Sequence, residues 1–190
     1  MRTRRLFLLA AGPVLLTGCG YNSIQKFDEQ AEQAKKQISV QLQRRSDLVP
    51  NLVGVVKGMA KQELDVFTSV TQARAGLTSA VESGDLKQMA AANGQLTGAL
   101  GKLMVTVEAY PQLKSDQGFL RLQDELAGTE NRIAVARTDY NDAVQKYNAY
   151  IRQFPQVLTA KLTSAKAREY FELQTPGAAV APTVDFNKKE

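Results

Sequence analysis

Few side chains in this sequence could do chemistry. One cysteine, Cys19, follows Leu16-Thr17-Gly18. With no second Cys, neither an intrachain disulfide nor a cysteine metal cluster can form. No His occurs among the 190 residues, which excludes a Ser-His-Asp triad, a His-based metal site and a histidine proton shuttle. Carboxylates remain. Glu130, with Glu108 or Glu63, could serve as general acid or base. Such catalysis needs two carboxylates at a set separation in a cleft, and nothing in the spacing places one. The competing reading pairs Glu130 with Arg44 or Arg45. Thr129, Glu130 and Asn131 lie on or beside a heptad seam, where polar residues fix register at some cost in stability. With Asp47 they are assigned to a structural polar network, and no residue is assigned to catalysis or to a metal.

Arg44 and Arg45, followed by Asp47, could also hold phosphate headgroups or an acidic partner, although the plainer account has them balancing a helix C-terminus. Gly94, Gly98 and Gly101 are expensive inside a helix, at roughly 1 kcal/mol each against Ala. They fall roughly 150° from the apolar seam of their helix, at 100° per residue, where a partner helix or a second copy could approach closely. Arg44, Arg45 and these three glycines are the candidate partner contacts. Tyr140, Tyr147 and Tyr150 at helical spacing read as packing with the hydroxyls at the rim.

The first residues read as an address. Arg2, Arg4 and Arg5 precede an apolar run from Leu6 to Leu16, too short for the roughly 20 residues that a spanning helix needs. It is therefore a signal-peptide core. Leu16-Thr17-Gly18-Cys19 resembles the lipobox of bacterial lipoproteins. That resemblance implies cleavage after Gly18, and diacylglyceryl and N-acyl groups on Cys19 as the one covalent addition, with no other cofactor. Thr3-Arg4-Arg5-Leu6-Phe7-Leu8 is similar to the twin-arginine export motif, and Gly20 after the Cys favours the outer membrane over the inner. Loss of residues 1–18, with three Arg, would leave 21 basic against 19 acidic residues. The remaining chain is near neutral, and no electrostatic case for nucleic acid survives.

Helices must position everything else. Ile24, Phe27, Ala31, Ala34 and Ile38 recur at three- and four-residue steps, predicting a helix over about 23–45. Pro50 then favours a tight corner, with Ser46 or Asp47 capping a second helix over about 48–82. Ser83-Gly84-Asp85 ends that helix, and Asp85 caps a third over about 86–109. Its seam is Met89, Asn93, Leu96, Leu100, Leu103 and Val107, and Tyr110-Pro111 stops it. From Phe119 to Phe154 a heptad pattern predicts a helix over about 116–154, roughly 55–60 Å long. Ser164 to Leu173 could add a short helix, and 173–190 has the composition of a disordered tail. The expected fold is all-α: an up-down antiparallel bundle of about four helices spanning 23–172, the last long and heptad-patterned, tethered through 19–22.

Val40 to Val53 (including Arg44-Arg45-Ser46-Asp47-Leu48-Val49-Pro50-Asn51), Val56-Lys57-Gly58, Glu108-Ala109-Tyr110-Pro111-Gln112-Leu113-Lys114, Thr129-Glu130-Asn131-Arg132-Ile133, Tyr140-Asn141 through Tyr147-Asn148, Phe154-Pro155 and Tyr170-Phe171-Glu172 follow one another in this order. Together they resemble the LemA family. The resemblance implies an extracytoplasmic helical bundle held to a bacterial membrane, with no established enzymatic activity. Typical members keep an uncleaved N-terminal transmembrane helix. This sequence departs from them by carrying a lipobox there.

The resulting expectation is a lipid-anchored periplasmic protein of the cell envelope. It would act as a non-enzymatic scaffold or interaction module, with the membrane, unidentified envelope proteins and a second copy of itself as partners. The alternatives are a carboxylate-dependent envelope hydrolase and a carrier of an apolar ligand between splayed helices.

Overall fold

The computed structural model describes residues 20–59 and 64–172. The signal segment, Gly18, Cys19, Glu63 and the 173–190 tail lie outside these described residues. Six helices occur among the described residues, and no strand: α1 (Tyr21–Met59), α2 (Leu64–Ser83), α3 (Leu86–Val107), α4 (Pro111–Lys114), α5 (Gln117–Tyr150) and α6 (Gln156–Leu162). The molecule is an all-α bundle.

The corner expected at Pro50 is absent, because α1 runs straight through it for 39 residues. Proline has no N–H, so the carbonyl of Ser46 four residues earlier loses its helical donor. Arg74 of α2 replaces that donor, its Nε giving a 3.0 Å hydrogen bond to the Ser46 carbonyl. The fully buried Ser46 hydroxyl pairs with Thr78 Oγ1 at 2.9 Å instead of capping a helix. Asp47 accepts from Gln43 Nε2 within α1. The proline ring itself faces solvent. The defect is thus repaired from the neighbouring helix.

Elsewhere the Asp85 cap acts as it reads, and Asp116 and Pro111 add two helix starts. Asp85 accepts from the amides of Lys87 and Gln88 and starts α3. Gly84 before it turns at φ +68°, a left-handed conformation that favours glycine. Asp116 accepts from the Phe119 amide and starts α5. Pro111 opens α4, the single turn that reverses the chain between α3 and α5.

The registers give the topology. Arg45 meets Glu130, and Ile24 clusters with Tyr147 and Ile151, so α1 and α5 run antiparallel along most of their lengths. At 1.5 Å per residue they are roughly 58 and 51 Å long. α2 descends beside the C-terminal half of α1, and α3 climbs back beside α2. Ser39 touches Met89 near the α2–α3 turn. Above that level four helices share a core that includes Leu42, Leu52, Leu77, Leu96, Leu103 and Ile133. Below it α1 and α5 continue as a pair.

The C-terminal segment fills the space beside that pair. The helix expected over 164–173 does not form there. α6 lies earlier, at Gln156–Leu162, and residues 165–172 lack regular secondary structure. Two asparagines hold this stretch. The Asn148 side chain receives the Arg168 amide at 2.8 Å and donates to its carbonyl at 2.9 Å. Asn141 does the same for Phe171, at 2.8 and 3.2 Å. Seven helical residues rise about 10.5 Å, and three extended residues advance about 10 Å. The paired Tyr-Asn dipeptides of α5 are therefore spaced to grip residues 168 and 171 of a strap. Phe171 enters the main core, and the Arg137 guanidinium lies 5.3 Å from its ring centroid.

Candidate functional site

The polar side chains concentrate at two levels along α1 and α5. The upper level is Arg45. Its position on the buried face of α1 drives a guanidinium into the bundle, leaving 5% of the side chain exposed. Nη1 donates to Asn93 Oδ1 at 2.7 Å and to Glu130 Oε2, and Nη2 donates to Thr97 Oγ1 at 3.1 Å. One cation thus ties α1 to α3 and α5. Burial pulls the guanidinium below its ordinary value, and the Glu130 carboxylate works against that pull. Arginine keeps its charge throughout the accessible pH range.

The lower level is Arg168 on the strap. Nε donates to Asp28 at 2.7 Å and Nη1 to Glu32 at 2.9 Å, two carboxylates one turn apart on α1. Those two hydrogen bonds to anions push its guanidinium well above the usual arginine value, against some loss from burial. Beside it Tyr140 donates to the Glu169 carbonyl at 2.8 Å. Burial raises the Tyr140 phenol above the ordinary tyrosine value, and that of Tyr147 with it.

The residues singled out in the sequence divide between these levels and the surface. Glu130 is in the Arg45 pair, and Thr129 is buried beside it, its hydroxyl on the Leu126 carbonyl at 2.7 Å. Asn131 and Asp47 are exposed and do not join the network. Burial also takes Arg45 away from the partner-contact set. Arg44, next to it, faces solvent. Gly98 and Gly101 are exposed, and a Cβ at either would meet nothing within 4 Å, while Gly94 is half-buried. No helix among the described residues uses Gly98 or Gly101 for close approach. Glu108 pairs with Lys114 at 2.5 Å on the surface, so it and Glu130 answer to different cations.

Sequence reasoning missed Asn141, Asn148, Asp28, Glu32 and Arg168. The repeat of Tyr-Asn at a seven-residue interval was the available signal. It reads as heptad packing until the strap it grips is known. An open groove between α1 and α5 is lined by Gln30, Gln33, Gln37, Asp139, Asp142 and Lys146, with about 420 Å³ of space. Its neighbour, about 430 Å³, adds Val135 and Ala136 to more Gln, Asn and Arg side chains. Among the described residues no three His, Cys, Asp or Glu side chains converge as a metal site would need. No helix among them is long and apolar enough to cross a membrane.

Comparison with known proteins adds a family. The model of the LemA family matches residues 34–186. Magnetosome protein MamQ 1 and magnetosome protein MamQ 2 of Paramagnetospirillum magneticum are each 31% identical over 180 residues, covering 83% of this chain and 66% of the relative. Magnetosome protein MamQ of Magnetospirillum gryphiswaldense is 27% identical over the same extents. The chain thus spans slightly under two thirds of the length of these relatives.

Proposed function

This chain belongs to the LemA family, and from that premise we propose that it is a membrane-associated envelope protein working by position and contact rather than by turnover. Cys19, acylated after cleavage at Gly18, is its anchor. The bundle stands on the periplasmic face of a bacterial membrane, the outer one in preference. There it acts as a scaffold for envelope partners, a second copy of itself among them. The anchor adds to whatever the partners supply by raising the local concentration at the membrane.

One observation supports this reading above the others. Glu130, the strongest candidate for acid–base work, is held by Arg45, whose Nη1 and Nη2 also donate to Asn93 and Thr97. A carboxylate fixed on a buried cation braces three helices and is poorly placed to exchange protons with a substrate. The relatives are named as magnetosome proteins, and the match covers 66% of their length.

In-cell cross-linking followed by mass spectrometry tests the proposal. The expected result is a small set of envelope proteins, this chain among them, joined through exposed residues and undisturbed by Glu130→Ala in protein that still folds. Incorporation of labelled fatty acid, lost in Cys19→Ser, checks the anchor. A hydrolytic activity that vanishes in Glu130→Gln while the cross-links persist would replace the scaffold with the hydrolase.

A further inference from the structure

One end of the bundle differs from the rest of its surface. A Cβ on Gly20 would meet Gln156 Cγ at 3.0 Å and the Tyr150 hydroxyl oxygen at 3.4 Å. Whatever precedes Gly20 therefore joins α1 where α5 ends and α6 begins. α6 buries Thr159 and Ala160, the latter clustering with Ile24, Tyr147 and Ile151. Its opposite face carries Leu158 and Leu162, 55% and 76% exposed, and Phe154 just ahead of it is 80% exposed. Single bare apolar side chains are ordinary, but two on one short helix with a third just ahead of it call for an account.

The charge at this end is one-sided. From residue 143 to 168 the sequence has no Asp or Glu, yet carries Lys146, Arg152, Lys161, Lys166 and Arg168. Arg168 is engaged by Asp28 and Glu32, while the other four are exposed. Residues 20–27 add Lys26 and no acid. The nearest carboxylates on α1 are Asp28, which is engaged by Arg168, and Glu29, both about two turns from its start. At the far end Leu64 and Val105 are also bare, but there Asp65, Glu108 and Asp116 accompany Lys57 and Lys114, so the charge is mixed.

We infer that this end is a contact surface for an anionic bilayer: Phe154, Leu158 and Leu162 enter the headgroup–acyl boundary while Arg152, Lys161 and Lys166 meet lipid phosphates. Apolar insertion flanked by Lys and Arg is how interfacial helices bind, and aromatic rings favour that depth. The occupant follows from the charge and from the entry point of the chain at Gly20. In that second respect the inference rests on the anchored reading. A lipid on Cys19 holds the protein to a membrane, and this surface sets which end lies down upon it.

The chain has no Trp, so Phe154→Trp and, separately, Val105→Trp each give a single reporter at an exposed position. Both full-length proteins are extracted from membranes and reconstituted into phosphatidylcholine vesicles with or without phosphatidylglycerol, some lipids brominated. Trp at 154 is expected to shift to the blue and be quenched at least threefold more than Trp at 105, and only with phosphatidylglycerol present. Each basic residue near such a surface favours contact about fivefold. Replacing Arg152, Lys161 and Lys166 together by Gln should therefore weaken contact on the order of a hundredfold and remove the difference. Equal quenching at the two positions, in protein that floats with the vesicles, would overturn the surface and leave the anchor standing. Flotation unchanged in Cys19→Ser would overturn the anchor, and quenching at position 154 would then support the surface alone.

Discussion

Arg45 carries its charge into the bundle with 5% of the side chain exposed, while 46% of the Glu130 side chain still faces water. That asymmetry decides which partner matters more. Removing the acid leaves a buried cation with only neutral oxygens, whereas removing the arginine leaves an acid that can turn to solvent. Glu130→Ala should destabilise by about 2–3 kcal/mol, less than a fully buried pair because solvent screens one side. Arg45→Met, which fills the site with apolar volume, should cost under about 1.5 kcal/mol. The double variant should resemble Arg45→Met alone. Urea unfolding of the three proteins checks this order, and a reversed order would mean that Glu130 contributes little. The pairing was legible to the extent that Glu130 could be matched with Arg44 or Arg45. Only packing distinguishes two adjacent arginines, since neighbours on a helix point 100° apart.

At the scale of elements, Pro50 is where local rules and tertiary structure disagree. A proline inside a helix costs about 3 kcal/mol or more, through a lost hydrogen bond and a clash. The bond half of that penalty is offset here by Arg74, which reaches the Ser46 carbonyl from α2. Arg74→Met should therefore cost about 1–2 kcal/mol in the natural chain, the price of a buried carbonyl without a donor. With Pro50→Ala the new amide can serve Ser46, and the same Arg74 change should then cost at least about 1 kcal/mol less. Urea titrations of the four proteins give the coupling. Additive effects would show that Arg74 does not compensate the proline. The caps at Asp85 and Asp116, by contrast, needed no tertiary context, because an Asx side chain reaches amides two or three residues ahead on its own chain.

As a whole, the molecule has two unequal halves. Four helices bury the upper core, while the lower half consists of α1, α5, α6 and a strap held by Asn141, Asn148 and Arg168. The lower half has less apolar burial per residue and should open first. Arg168→Ala removes both ion pairs to α1 and should speed amide exchange about tenfold across 24–38 and 140–150, for a loss of about 1.4 kcal/mol. Amides in α3 should be unchanged. Hydrogen exchange read by mass spectrometry distinguishes this from uniform loosening, which would mean that the molecule opens as one unit. The lower half also ends in the basic, apolar face beside Gly20, so the softer part of the protein lies nearest its proposed membrane.

The all-α class, the Asp85 cap, the seam of α3 and the buried heptad positions of α5 from Phe119 to Tyr147 were determined by the sequence alone, because each depends on spacing within a single helix, whereas the expected last position, Phe154, lies beyond the end of α5 and is exposed. The passage of α1 through Pro50, the choice of Arg45 over Arg44 and the capture of residues 168 and 171 by asparagines 20 and 30 positions earlier were decided by tertiary structure. Each involves a polar group whose partner is distant in sequence. Helical periodicity records which side of a helix is apolar, and it carries no information about which remote donor will face a given carbonyl or carboxylate once the helices are packed.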